Sequence, residues 1–219
     1  MTEQNSSTPT QAEISSALQK GLTQAQQDAL RNARVAVVGL GGLGSNIAVA
    51  LTRLGISQLY LYDFDKVELS NLNRQYYFLD DIGQYKANAL VKHLRQINPY
   101  ADLHAQVVKV TAENIPTLLG SCDIICEALD DAASKAMLVS TVLSTWSDKK
   151  LVAASGIAGF GKAEEIISKK INKSFYLCGD GSSDFHDLAL CGARVALCAN
   201  QQALLVARII LGLEEKQND

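Results

Sequence analysis

The chain has 219 residues, enough for one well-filled domain and too few to argue for two without a linker. With 47% hydrophobic and 20% charged residues it can bury a core, which excludes disorder as the default away from the ends. A net charge of −3 at pH 7 excludes a general affinity for nucleic acid, so any polyanion must be held by a local cluster.

Residues 1–12, MTEQNSSTPTQA, are polar and aperiodic and read as a flexible tail, which leaves 13–219 as a single domain. Ile14, Leu18 and Leu22 recur at helical spacing and predict a short amphipathic helix leading into it. An apolar strand at 34–38, a helix over about 45–54 closed by Gly55, and a strand at about 58–62 make a βαβ unit. These runs lack an alternating polar face, as suits a parallel sheet covered on both sides.

A helix over about 84–97 stops before Pro99, because the residue preceding proline is pushed out of helical geometry. LHAQVVKV (103–110) predicts a strand, and CDIICEALDD (122–131) a buried strand ending in carboxylates. A helix over about 133–146, the strand LVAAS and the glycine-rich turn GIAGFG (156–161) continue the alternation. Past Gly161, KAEEIISKKI and SFYLCG predict an antiparallel pair, DGSSDFHDL a loop, and 194–212 a final helix. That helix is apolar but interrupted by Arg194, Asn200, Gln201, Gln202 and Arg208, so it reads as packed into the core and not as a membrane span. The order predicts an α/β class: a Rossmann-like, mostly parallel sheet with helices on both faces and a short antiparallel extension near the C-terminus.

Five cysteines, none in a C-x-x-C pair, together with the lack of a signal-peptide pattern, favour a reducing, cytoplasmic setting and argue against a zinc knuckle. His93, His104 and His186 fall in no metal-binding or triad arrangement and receive no role.

The chemistry concentrates in two stretches, RVAVVGLGGLGSN and YDFDKVELSNLNRQ. Gly39, Gly41 and Gly44 satisfy G-x-G-x-x-G after a strand and before a helix, and Gly42 adds a fourth glycine. Without Cβ atoms the backbone can turn tightly and offer the helix N-terminus to a phosphate. Asp63, nineteen positions beyond Gly44, is placed to accept ribose hydroxyls, which fits NAD as well as the adenosine half of ATP. The second stretch supplies Ser70, Asn71, Asn73, Arg74 and Gln75, followed by Lys86 at a helix start. A guanidinium and an ammonium can grip two different phosphates, as expulsion of pyrophosphate requires. Asp130 and Asp131 close an apolar strand: Asp131 suits the N-cap of the next helix, and Asp130 a Mg²⁺ that keeps most of its water.

GLGGLGSN, DFDKVELSNLNRQ, IGQYK and EALDDAASKAM, in this order, resemble the ThiF and MoeB branch of the superfamily that includes ubiquitin-activating enzymes. The resemblance runs from about residue 30 to 212, continues in ASGIAGFG and ARVALCANQQA, and is strongest to the short ThiF-like proteins of thiamine biosynthesis that lack zinc. It implies ATP- and Mg²⁺-dependent adenylylation of the C-terminal glycine of a ubiquitin-like sulfur carrier ending in Gly-Gly, by a homodimeric enzyme without zinc. The implied nucleotide set is Gly39, Gly41, Gly42, Gly44, Asp63, Asp65, Asn71, Arg74, Gln75 and Lys86. Arg74, Lys86 and Asp130 carry the chemistry, and Asp130 holds the metal.

The chain also departs from the family pattern. Arg31 and Arg34 are the only arginines before the glycine turn, so no arginine is assigned across a dimer interface, and neither Cys178 nor Cys191 is assigned a covalent link to the carrier. Lys169, Lys170 and Lys173 read as a solvated face, or else a site for an acidic carrier. Three other readings stay open: activation of a carboxylate on modified tRNA or on a molybdopterin-type carrier, an NAD-dependent oxidoreductase that leaves the cation cluster without purpose, and a scaffold without turnover.

Overall fold

β1 (Arg34–Val38) is buried at every residue after Arg34, because both faces of the sheet are covered. Val35 and Val37 join one apolar cluster, and Ala36 and Val38 join the other. This two-sided burial explains why the strand reads as a continuous hydrophobic run. The computed structural model describes residues 8–183 and 188–214. Residues 1–7 of the expected tail, and His186 within the expected loop, lie outside them.

Among the described residues, seven strands form one sheet in the order β3-β2-β1-β4-β5-β7-β6. β2 (Gln58–Asp63), β3 (Asp102–Val107), β4 (Ile124–Glu127), β5 (Lys150–Ala154) and β7 (Phe175–Gly179) run parallel to their neighbours; β6 (Ile167–Lys170) pairs antiparallel with β7. The expected parallel sheet with a short antiparallel extension is therefore present. The chain leaves β1 toward β2 on one side and returns to β4 on the other, so the strand order reverses between β1 and β4. A ligand crevice forms at such a point, outside the carboxyl ends of the strands.

The helices are α1 (Gln11–Leu18), α2 (Gln24–Asn32), α3 (Gly42–Arg53), α4 (Lys86–Ile97), α5 (Ile115–Leu119), α6 (Ala132–Thr145) and α7 (Gly192–Ile210). Residues of α3, α4 and α7 pack on one face of the sheet, and residues of α5 and α6 on the other. Two of the seven, α2 and α5, do not appear in the sequence reading. α1 begins inside the expected tail because Thr10 caps it and Glu13 closes a reciprocal capping box. The helix expected from about residue 45 starts at Gly42, inside the glycine turn itself. The stretch expected as a long strand before Lys170 is strand only over β6, and Ala163–Glu165 form a 3-10 turn. No described helix is long and apolar enough to cross a membrane.

Candidate active site

A cavity of about 550 Å³ opens at the carboxyl ends of β1, β2, β4 and β5. Its walls include Gly39, Gly41, Gly42, Asp63, Asp65, Arg74, Gln75, Lys86 and Asp130. Two expected members, Gly44 and Asn71, are absent from the lining. Gly44 lies one layer beneath, packed on the Gly39 carbonyl. Asn71 is buried, and its Oδ1 accepts the Glu68 N–H at 3.1 Å within a 3-10 turn (Leu69–Asn71).

Asp63 ends β2 and binds the glycine turn directly. Its Oδ2 accepts the Leu40 N–H at 2.6 Å and its Oδ1 the Asp65 N–H at 2.7 Å. Burial pushes the Asp63 carboxyl up, while these two N–H groups and Lys86 pull it back. Lys86 opens α4, is 7% exposed, and places its Nζ 3.0 Å from Asp65 Oδ2. His93, further along α4, has its Nε2 2.6 Å from Asp81 Oδ2 and so ties the helix to the loop that precedes Lys86.

The loop bearing Arg74 and Gln75 is fastened onto the start of α3. Asn46 Nδ2 donates to the Arg74 carbonyl at 3.0 Å, Ser45 Oγ accepts the Tyr76 N–H at 2.9 Å, and the Tyr77 hydroxyl donates to the Leu40 carbonyl at 2.8 Å. Arg74 Nη1 rests on the Ser70 carbonyl at 3.1 Å and Asn73 Oδ1 at 2.8 Å. The buried Gln75 Oε1 has no hydrogen-bond partner, so it is a polar atom left available at the cavity wall.

Across the cavity, Asp131 is the N-cap of α6 and its carboxylate accepts the Ser134 N–H at 2.7 Å, which leaves the neighbouring Asp130 exposed. Among the described residues no three His, Cys, Asp or Glu side chains converge as a metal cage. One open carboxylate beside cations fits Mg²⁺, which is held by phosphate oxygens, water and one or two carboxylates.

The cavity also contains groups that the sequence reading passed over. Lys109 lies with its Nζ 5.7 Å from the centroid of the Phe64 ring, and both residues line the wall. Lys135 lines it as well, 2.9 Å from Glu127 Oε1. Burial raises the Glu127 carboxyl, and Lys135 opposes the rise. The available signal was a lysine in the first turn of a helix, where the dipole disfavours a cation unless a specific partner holds it.

The rim beyond β5 is held by Arg194 of α7. Its Nη2 lies 2.7 Å from Asp180 Oδ2 and 3.3 Å from Glu165 Oε2, and its Nη1 donates to the Lys162 carbonyl at 2.9 Å. Asp180 Oδ1 also accepts the N–H groups of Ser182 and Ser183, each at 2.8 Å. Burial alone would raise the Asp180 carboxyl, but Ser183, Ser182 and Arg194 together hold it well below the usual carboxylate range. A depressed folded-state value stabilises the fold above the ordinary carboxylate pKa of about 4, and that stability is lost as pH falls further. Asp180→Asn is therefore expected to melt below the wild type at about pH 6, with a gap that begins to narrow by about pH 3, as thermal melts at both values would register.

Cys178 is buried on β7, and burial pushes its thiol up to about 11. Cys191 is half-buried at the N-cap of α7. Arg31 and Arg34 are paired with Asp28 and Asp123 at 2.6 and 2.8 Å. Lys170 lies 3.6 Å from Glu214.

A doubly wound sheet with a glycine turn at its switch point, an acid ending β2 and cations gathered above defines a nucleotide-handling class of α/β protein. The chain belongs to the ThiF family, whose model matches residues 14–219. It is 43% identical over 93 residues to ubiquitin-like modifier-activating enzyme 5 of Oryza sativa subsp. japonica, a match spanning 42% of this chain but only 22% of that relative's length. It is 27% identical over 194 residues to the sulfur carrier protein ThiS adenylyltransferase of Escherichia coli, covering 86% of this chain and 76% of the relative. The fold matches the crystal structure of E. coli tRNA N6-threonylcarbamoyladenosine dehydratase, TcdA, in complex with ATP, at a TM-score of 0.80 and 21% identity, over 90% of this chain and 92% of that one.

Proposed function

We propose that the chain binds ATP with Mg²⁺ and adenylylates the C-terminal glycine carboxylate of a ubiquitin-like sulfur carrier. The observation that carries this reading is the convergence of Arg74, Gln75, Lys86 and Asp130 from separate segments on one cavity beside the glycine turn. A nicotinamide enzyme has no use for that cation set. The E. coli relative named for ThiS adenylylation supports the same choice.

A carboxylate oxygen of the carrier attacks the α-phosphorus, the bond to the bridging oxygen of the β-phosphate breaks, and pyrophosphate leaves with that electron pair. No general base is needed, because the carboxylate is already ionised at neutral pH. Asp63 holds the ribose, the glycine turn and Gln75 face the phosphates, and Lys86 and Arg74 neutralise charge on the departing group. Asp130 would hold the Mg²⁺, which would supply charge neutralisation at the triphosphate. The reading sets the reaction in the cytoplasm, in thiamine synthesis, and in a homodimer whose second copy covers the exposed apolar Leu69, Leu79 and Ile82.

Incubation with ATP, Mg²⁺ and the Gly-Gly-ending carrier copurified from the host is expected to release pyrophosphate and add the mass of AMP to the carrier. Saturable NADH binding without ATP chemistry would overturn the reading, and AMP appearing on tRNA instead would redirect it.

A further inference from the structure

Asp130 sits on the loop between β4 and α6, and the residue before it is gripped by both of its backbone polar groups. The Leu129 N–H donates to Glu127 Oε1 at 2.7 Å, and the Leu129 carbonyl accepts from Lys135 Nζ at 2.7 Å. Lys135 Nζ also donates to that same Glu127 oxygen at 2.9 Å, closing a ring of three hydrogen bonds around one residue. The carbonyl so held belongs to the planar peptide unit that ends at the Asp130 Cα, so the point from which the Asp130 side chain springs is fixed by it.

Two features argue that this ring does more than fill space. Glu127 is 0% exposed, and a carboxylate buried so completely is a costly way to end a strand. Lys135 stands in the first turn of α6, against the helix dipole, and spends two of its three donors on Glu127 and Leu129. An apolar pair would close the same gap without either cost. What the apolar pair would not do is fix the Leu129 peptide.

We propose that Glu127 and Lys135 form the positioning device of the metal site, clamping Leu129 so that the Asp130 carboxylate meets the cation carried by the triphosphate. Neither residue touches the nucleotide in this role; they act through Asp130. The inference rests on the adenylylation reading.

The test is calorimetric titration of the full chain with a non-hydrolysable ATP analogue, once with Mg²⁺ and once with EDTA. The wild type is expected to bind the Mg²⁺ complex more tightly than the bare nucleotide. Lys135→Met is expected to shrink that gain about tenfold, the scale on which residues supporting a metal ligand act, so that affinity falls further with Mg²⁺ than with EDTA. Lys135→Arg, which keeps donors for both Glu127 and Leu129, retains the gain. Because Lys135→Met strands a buried carboxylate, the charge-neutral double variant Glu127→Gln/Lys135→Met is measured beside it and is expected to lose the gain as well.

A wild-type gain in folded Lys135→Met or in the folded double variant overturns the inference, as does its loss in Lys135→Arg. Equal losses with and without Mg²⁺ also overturn it, since they would mark a plain structural staple. A wild type that binds the nucleotide without any Mg²⁺ gain removes the metal role of Asp130 and the inference together. A wild type that binds no nucleotide sinks the adenylylation reading instead.

Discussion

Lys86→Met is expected to lower the rate of AMP transfer about 10²–10³-fold, comparable to deleting one preorganised donor to a developing charge. Lys86 is placed by three independent constraints. It begins α4, its backbone N–H donates to the Asp65 carbonyl at 2.9 Å, and its ammonium is drawn to the Asp65 carboxylate. At 7% exposure the charge is only weakly screened by water, and no reorganisation is needed when a triphosphate enters. Removing it leaves Asp63 and Asp65 as two uncompensated carboxylates on the wall that must receive four further negative charges on ATP. Binding of ATP should therefore weaken along with turnover, while the melting temperature falls only modestly because Asp65 is half exposed. Pyrophosphate release at saturating ATP and carrier is the measurement. Turnover at the wild-type rate would remove the cation cluster from the mechanism.

The legibility of this site follows the range of the forces that build it. Local pattern was enough for β1, the glycine turn and the start of α4, because burial on both faces and the turn's backbone demands are written into adjacent residues. α2 was missed because QAQQDALRN is polar and buries only Leu30; its signal was the capping box of Thr23 with Gln26. α5 is five residues long with a proline in its first turn, too short to show a period. Asn71 reads as a phosphate ligand by its neighbours, and what the local pattern did not show is that its carboxamide oxygen caps the backbone of its own turn. The pairings of Lys135 and Arg194 were unreadable for the opposite reason. Their partners Glu127, Asp180 and Glu165 come from other elements, and only the return of each helix across the sheet ends brings them together.

Gly44→Ala is expected to be severely destabilising, by about 4 kcal/mol or more, in the range reserved for forced backbone rearrangement. A Cβ on Gly44 would stand 1.8 Å from the Gly39 carbonyl oxygen and 3.2 Å from Val37 Cγ1, so α3 would have to lift off β1. Gly39 cannot give way. Its φ of +87° suits only glycine, its N–H donates to the Tyr62 carbonyl at 2.9 Å, and a Cβ there would lie 2.7 Å from the Ala128 carbonyl oxygen. The turn is thus wedged between β2 on one side and β4 on the other, and the added methyl has nowhere to go. For a domain of this size the cost corresponds to about 10 °C of melting temperature. Gly41→Ala is the matched control: it has a negative φ, and its Cβ would meet only Gln75 Nε2 at 3.6 Å. It should melt close to wild type while still altering nucleotide affinity, because Gly41 lines the cavity. Equal melting temperatures for Gly44→Ala and Gly41→Ala would mean that the close helix–strand approach at Gly44 is not what holds the turn in place.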